Sequence, residues 1–185
     1  MKAALPERAS ISAAIILAAF PLMSSAQPDG GGPSIPLTAE KDGWQTYRNA
    51  RFGMVLPVPP GMTAQRPPDN GGGQAFRSAD GKAELITWGS FNIDGIGDVA
   101  KRWEAALIEP GRTITYKRKT EKWFVISGAR KDGSAFYERY DADAKYCAGW
   151  LVTHPQEEEK KWSALIERIA KDYAANLGKG ADTLE

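Results

Sequence analysis

Apolar residues recur along this chain with two different periods, and each period predicts a different element. Val99, Trp103, Ala106 and Leu107 fall at i, i+4, i+7 and i+8, the spacing of a helix with one buried stripe. Asp98 stands before the stripe as a capping residue, and Pro110-Gly111 follows as a stop. A longer stripe near the end, Trp162, Leu165, Ile166, Ile169, Tyr173 and Leu177, predicts a helix from Pro155 to Leu177. Pro155 suits its first position, Glu157, Glu158 and Glu159 complement the positive end of its dipole, and Gly178 ends it.

Between and before these helices the pattern shortens to alternation. Trp44–Arg48 and Arg51–Val58 read as strands around a turn at Asn49-Ala50, with Pro57, Pro59 and Pro60 confining the second to an edge or an early end. Met62–Gly73 reads as a loop, and Gln74–Ser78 with Ala83–Phe91 as a hairpin across Ala79-Asp80-Gly81. After the first helix come Thr113–Lys119, Trp123–Ala129, Ala135–Tyr140 and Tyr146–Thr153. The turns at Thr120-Glu121 and Lys131-Asp132-Gly133 are short enough to force antiparallel neighbours. Side-chain parity then assigns faces. Trp123, Val125 and Ser127 oppose Phe124 and Ile126, both sides apolar, which predicts a central strand buried on both faces. In Thr113–Lys119, Ile114 and Tyr116 oppose Thr115, Lys117 and Lys119, which predicts an outer strand with one solvated face. The expected architecture is α+β, an antiparallel β-sheet with helices on both faces.

The first 26 residues stand apart from this pattern. Lys2 and Arg8 precede an apolar run, Ile11–Met23, and Ser24-Ser25-Ala26 supplies small residues for cleavage. The run is shorter than the ~20 residues a membrane-spanning helix needs, and Pro21 interrupts it. Residues 1–26 therefore read as a secretory signal peptide, 27–43 as a flexible leader rich in Gly and Pro, 44–177 as a single α+β domain and 178–185 as a tail.

Composition agrees with one globular domain: 185 residues, 42% hydrophobic and 25% charged. The formal charge of +1 gives no global pull toward nucleic acid or anionic lipid. Without Lys2, Glu7 and Arg8 the exported chain is formally neutral. One Cys and one His can build neither an internal disulfide nor a Cys/His zinc cage.

Each candidate chemistry meets a specific obstacle. Gly95-Ile96-Gly97-Asp98-Val99-Ala100 has the spacing of a dinucleotide-binding turn, but Asp98 would set a negative charge beside a pyrophosphate. A thiol nucleophile needs Cys147 beside His154. Seven positions apart on one strand, they point to opposite faces with about 23 Å between them. Cys147, in the apolar segment Tyr146–Val152, reads as buried and inert, and His154, before Pro155, as a surface or capping residue. Asp141-Ala142-Asp143-Ala144-Lys145 begins like a calcium loop, but Lys145 replaces an oxygen ligand. Glu84, Glu104, Glu138 and Asp141 are carboxylates whose mutual distances the sequence does not give. No metal and no cofactor is expected. The remaining candidate is the loop Arg66–Gly73, where Asp69 and Asn70 precede Gly71-Gly72-Gly73, pairing orienting side chains with glycine amides open to a ligand.

The order of elements, with Tyr47 and Arg51-Phe52-Gly53-Met54-Val55-Leu56-Pro57 opening the domain, a mid-chain helix after Phe91-Asn92 and a final helix containing Trp162, resembles the PsbP-like fold. That group holds extrinsic lumenal proteins of photosystem II and relatives in bacterial envelopes. Asn70-Gly71-Gly72-Gly73, Ser78-Ala79-Asp80-Gly81 and Trp123-Phe124-Val125-Ile126-Ser127-Gly128 also resemble uncharacterised secreted proteins of alphaproteobacteria. The resemblance implies a PsbP-like α/β/α sandwich and a binding or assembly role; it carries over no functional residue. The expected function is a secreted, periplasmic, non-enzymatic binding or assembly module. Its partner is an unknown envelope protein or small ligand, with no nucleic acid and no membrane anchor after signal cleavage. The alternative is a small periplasmic hydrolase using unlocated carboxylates.

Overall fold

The computed structural model describes residues 35–182, so the signal segment, residues 27–34 of the leader and the last three residues lie outside the described residues. Three strands, β1 (Leu37–Ala39), β2 (Gln45–Arg48) and β3 (Val55–Val58), form a small antiparallel sheet in that order. Seven more make a second sheet: β4 (Met62–Ala64), β5 (Gly73–Ser78), β6 (Glu84–Phe91), β7 (Arg112–Lys119), β8 (Trp123–Arg130), β9 (Ser134–Ala142) and β10 (Tyr146–Pro155). Its order is β4-β5-β6-β10-β9-β8-β7, every pair antiparallel. Helix α1 (Val99–Leu107) lies on one face and α2 (Glu159–Asp172) on the other, which is the expected α+β sandwich.

The single expected sheet is thus two. Pro59 and Pro60 lack the amides that a ladder needs, so they end β3, and Gly61 turns the chain at φ +79 into the larger sheet. Pro57 sits in β3, which pairs along one side with β2, as its missing amide requires.

The core is double. Trp44, Tyr47, Leu56, Phe76, Leu85, Trp150, Val152, Trp162 and Ile169 fill the space between the small sheet, α2 and one face of the large sheet. Val99, Ala106, Phe124, Ile126, Phe136, Tyr140 and Cys147 pack under α1 on the opposite face. Strand β10 supplies both, Trp150 and Val152 to the first and Cys147 to the second, and it is the true centre of the sheet. The strand expected to be central, β8, lies one place in from the edge, with Phe124, Val125 and Ile126 buried.

Several boundaries differ from expectation. Met62–Ala64 is not loop but edge strand, and Gly73 already pairs with Trp88. A bulge at Thr115 breaks the β7–β8 register, so Ile114 faces Gly128 while Tyr116 faces Ser127. Ile114 and Tyr116 therefore point to opposite faces. Asp98 precedes α1 but makes no capping bond; its Oδ1 accepts instead from Asn92 Nδ2 at 3.0 Å.

The last helix is shorter than its stripe. Pro155 still belongs to β10, and a 3₁₀ turn, Gln156–Glu158, leads into α2. At the far end Tyr173 is extended, because Ala174 exchanges both backbone bonds with Val55 (2.9 and 3.0 Å). The chain then straps across the β2–β3 turn. Asn176 Nδ2 donates to the Gly53 carbonyl, Ala181 N to Ala50 O, and Arg51 pairs with Asp182 at 2.5 Å. Residues 178–182, expected as tail, are thus bonded into the domain, and so are Ile35 and Leu37 of the expected leader, which pack on the core.

Candidate functional site

A cleft of about 650 Å³ opens between α2 and the sheet. Its cause is local sequence. Ser127 and Ala129 of β8 and Ala135 of β9 lie on the α2 face by register, and their short side chains leave the floor low. The helix leans toward β3 and β10, where Trp162 and Ile169 are buried. Its flank, Glu159, Ser163, Glu167 and Ala170, consequently overhangs the floor instead of packing on it. These residues recur at i, i+4, i+8 and i+11, one side of a helix.

His154 forms the deep end. Parity with Trp150 and Val152 on β10 turns it to the α2 face, and only 1% of it is exposed, not the surface position expected. Its ring stacks on Trp162 (centroids 5.3 Å, 12° between planes). Nδ1 lies 2.9 Å from the Pro155 carbonyl oxygen. That oxygen only accepts, so Nδ1 carries the hydrogen, and in the neutral ring Nε2 is a bare acceptor. Nε2 lies 3.6 Å from Glu159 Oε2, beyond hydrogen-bond length. Glu159 remains largely solvated, 60% exposed, and its Oε1 accepts from the Ser163 hydroxyl at 3.3 Å. Tyr137 of β9 lines the cleft from the same sheet face, stacked on Trp150 at 4.9 Å. Burial pushes its phenol up from the ordinary value, and nearby Arg139 opposes that. Two carboxylates, Glu159 and Glu167, line the cleft, and none of its described lining residues is Lys or Arg.

The residues singled out from sequence lie elsewhere. Asp69 is 97% exposed, 3.8 Å from Arg66. Asn70 Oδ1 accepts from Gly72 N at 2.9 Å, Gly71 N donates to Pro68 O at 3.0 Å, and Asn70 O accepts from Arg51. The amides of Gly71 and Gly72 are therefore occupied within the loop itself. The glycine turn before α1 is likewise tied inward: Gly97 N donates to Asn92 Oδ1 and Tyr140 donates to Gly97 O at 2.5 Å.

Cys147 and His154 do point to opposite faces, and Cys147 is buried under α1. Desolvation pushes its thiol up, with the neighbouring Tyr140 hydroxyl acting against it. Of the four other carboxylates, three are held by arginines: Glu84 by Arg77, Asp141 by Nε and Nη2 of Arg139, and Glu138 by Arg112. The last pair is 6% and 5% exposed, with the guanidinium also 4.7 Å over Phe136. Glu104 is exposed on α1. Among the described residues no three His, Cys, Asp or Glu side chains are placed to hold a metal.

Sequence reasoning missed the cleft, although two signals pointed to it: the parity of His154 with Trp150, and the polar row 159-163-167 beside the apolar stripe.

No family model matches the chain, and no curated protein matches it in sequence. In three dimensions it is similar to the solution structure of cyanobacterial PsbP (CyanoP) from Synechocystis sp. PCC 6803. The TM-score is 0.51 at 10% identity, covering 80% of this chain and 97% of that one. The fold is PsbP-like.

Proposed function

We propose that the chain is a non-enzymatic binding or assembly module, exported to the bacterial periplasm, that takes its ligand in the cleft under α2. The observation that carries this reading is the buried His154, whose bare Nε2 faces a cleft of a size typical for small-molecule sites. The apolar run ending at Ser24-Ser25-Ala26 supports export. Among the described residues no helix is long and apolar enough to cross a membrane. Within the cleft a hydrolase would have Glu159, Glu167 and His154 to work with, whereas Glu84, Glu138 and Asp141 are bound to arginines.

His154 is the one histidine of the chain, so its imidazole is an unambiguous reporter. Periplasmic small-molecule extract is titrated into protein with labelled imidazole nitrogens. The Nε2 resonance is expected to move, with the extract chemically unchanged. Shifts that spare the imidazole would refute the cleft, and conversion of an extract component would refute the non-enzymatic reading.

A further inference from the structure

We propose that the ligand of this cleft is an elongated aliphatic diamine, bound with one ammonium at each end of the α2 flank; this rests on the reading of the cleft as the binding site. At the deep end His154 Nε2 and Glu159 Oε2 lie 3.6 Å apart with no hydrogen bond between them, and in the neutral tautomer that Pro155 O selects both are acceptors. Oxygen and nitrogen lone pairs this close call for a cation rich in N–H, and a primary ammonium has three. Pro155 O fixes the tautomer that makes Nε2 an acceptor, and the Trp162 stack fixes the ring plane, so the acceptor is built in before a ligand arrives.

The second ammonium follows from the helix. Glu167 stands eight residues beyond Glu159, about 12 Å along the axis at the helical rise, and both line the cleft. Between them Ile166 and the low floor of Ala129 and Ala135 offer an apolar bed for a methylene chain. Tyr137 adds an aromatic wall, a surface that attracts ammonium groups. A chain of eight methylenes separates its terminal nitrogens by about 11 Å when extended, close to that rise between positions 159 and 167. A three-methylene chain does not reach.

Calorimetry on the full chain at pH 8 tests this with 1,8-diaminooctane, 1,3-diaminopropane and 1-aminooctane. The octane diamine is expected to bind at least tenfold more tightly than either of the others and to move the His154 imidazole resonance. Glu167→Gln, at an exposed position that leaves folding intact, should reduce the diamine to the level of 1-aminooctane. Glu159→Gln should weaken both eight-carbon amines. Equal affinity for the long and short diamines, or no effect of either substitution, overturns the proposal. If no amine binds while periplasmic extract still shifts the imidazole, the diamine assignment falls and the cleft reading stands. If amines bind without moving the imidazole, both fall.

Discussion

Replacing Trp162 by Ala should weaken the fold by about 3 kcal/mol, toward the lower end of the ~3–5 kcal/mol range of aromatic core truncations. The side chain is 2% exposed and joins α2 to the first core cluster. A buried tryptophan removes about 150–250 Å² from water, which at ~25 cal/mol/Å² is worth about 4–6 kcal/mol before the alanine methyl and denatured-state burial are subtracted. The lower end applies because Trp162 stacks on His154 at the deep end of the cleft, where neighbouring groups have room to relax into the void. Its Nε1 bond to Glu158 (3.2 Å) is made to a solvated carboxylate and adds little. Urea unfolding followed by far-UV circular dichroism reads the effect. With a slope near ~2 kcal/mol/M, the midpoint should fall by about 1.5 M at unchanged slope. A loss below about 1 kcal/mol would mean that α2 is not held on the sheet by this residue, and the account of the first core cluster would fail with it.

Export should leave Gln27 as the first residue of the mature chain; N-terminal sequencing that finds Met1 on envelope-located protein contradicts the signal reading. Cys147 should resist iodoacetamide in the folded protein and react in denaturant, because burial disfavours its thiolate; rapid native labelling would reopen nucleophile chemistry. Tyr47, Tyr137, Tyr140 and Tyr173 are all held above the ordinary 10.0, burial being the first cause in each. Above about pH 10 the unfolded chain therefore loses phenolic protons that the folded chain keeps, so stability is complete below that pH and declines as pH rises; urea midpoints that stay level from pH 9 to 11 would refute this. Replacing Asp69 and Asn70 together by Ala should change stability by only about 0.5 kcal/mol at these exposed positions, and ligand capture that drops with it, measured by calorimetry, would move recognition from the cleft to that loop.

Local periodicity carried the α+β class, both helices and nearly every strand, because those signals live within windows of ten residues or so. What it could not carry is anything decided by a distant partner. The stripe through Tyr173 and Leu177 is helical in pattern, yet Val55, far back in sequence, draws Ala174 into a bridge and ends the helix. The bulge at Thr115 reverses the faces of Tyr116, Lys117, Arg118 and Lys119, and an alternating pattern has no mark for one inserted residue. The loop at Asp69 and Asn70 had the right residue types for recognition, but whether glycine amides are free depends on where Pro68 O and Asn70 Oδ1 point. His154 was misplaced for a simpler reason. The strand runs through Pro155, so the parity rule applied to it when proximity to the helix suggested otherwise.

The strap formed by residues 174–182 has a consequence for the order and speed of folding. Arg51 and Asp182 are 131 positions apart, and Asn176 and Gly53 are 123. Closing loops of that size is entropically costly, so these contacts form only after the hairpins β7–β8, β8–β9 and β9–β10 have already brought the chain together. Interactions made after the transition state do not hasten folding; they slow escape from the native basin. Arg51 and Asp182 thus act as a latch: weakening them should raise the unfolding rate while leaving the refolding rate nearly unchanged. Where survival among proteases is set by how seldom a protein opens, such a latch lengthens the lifetime of the folded state.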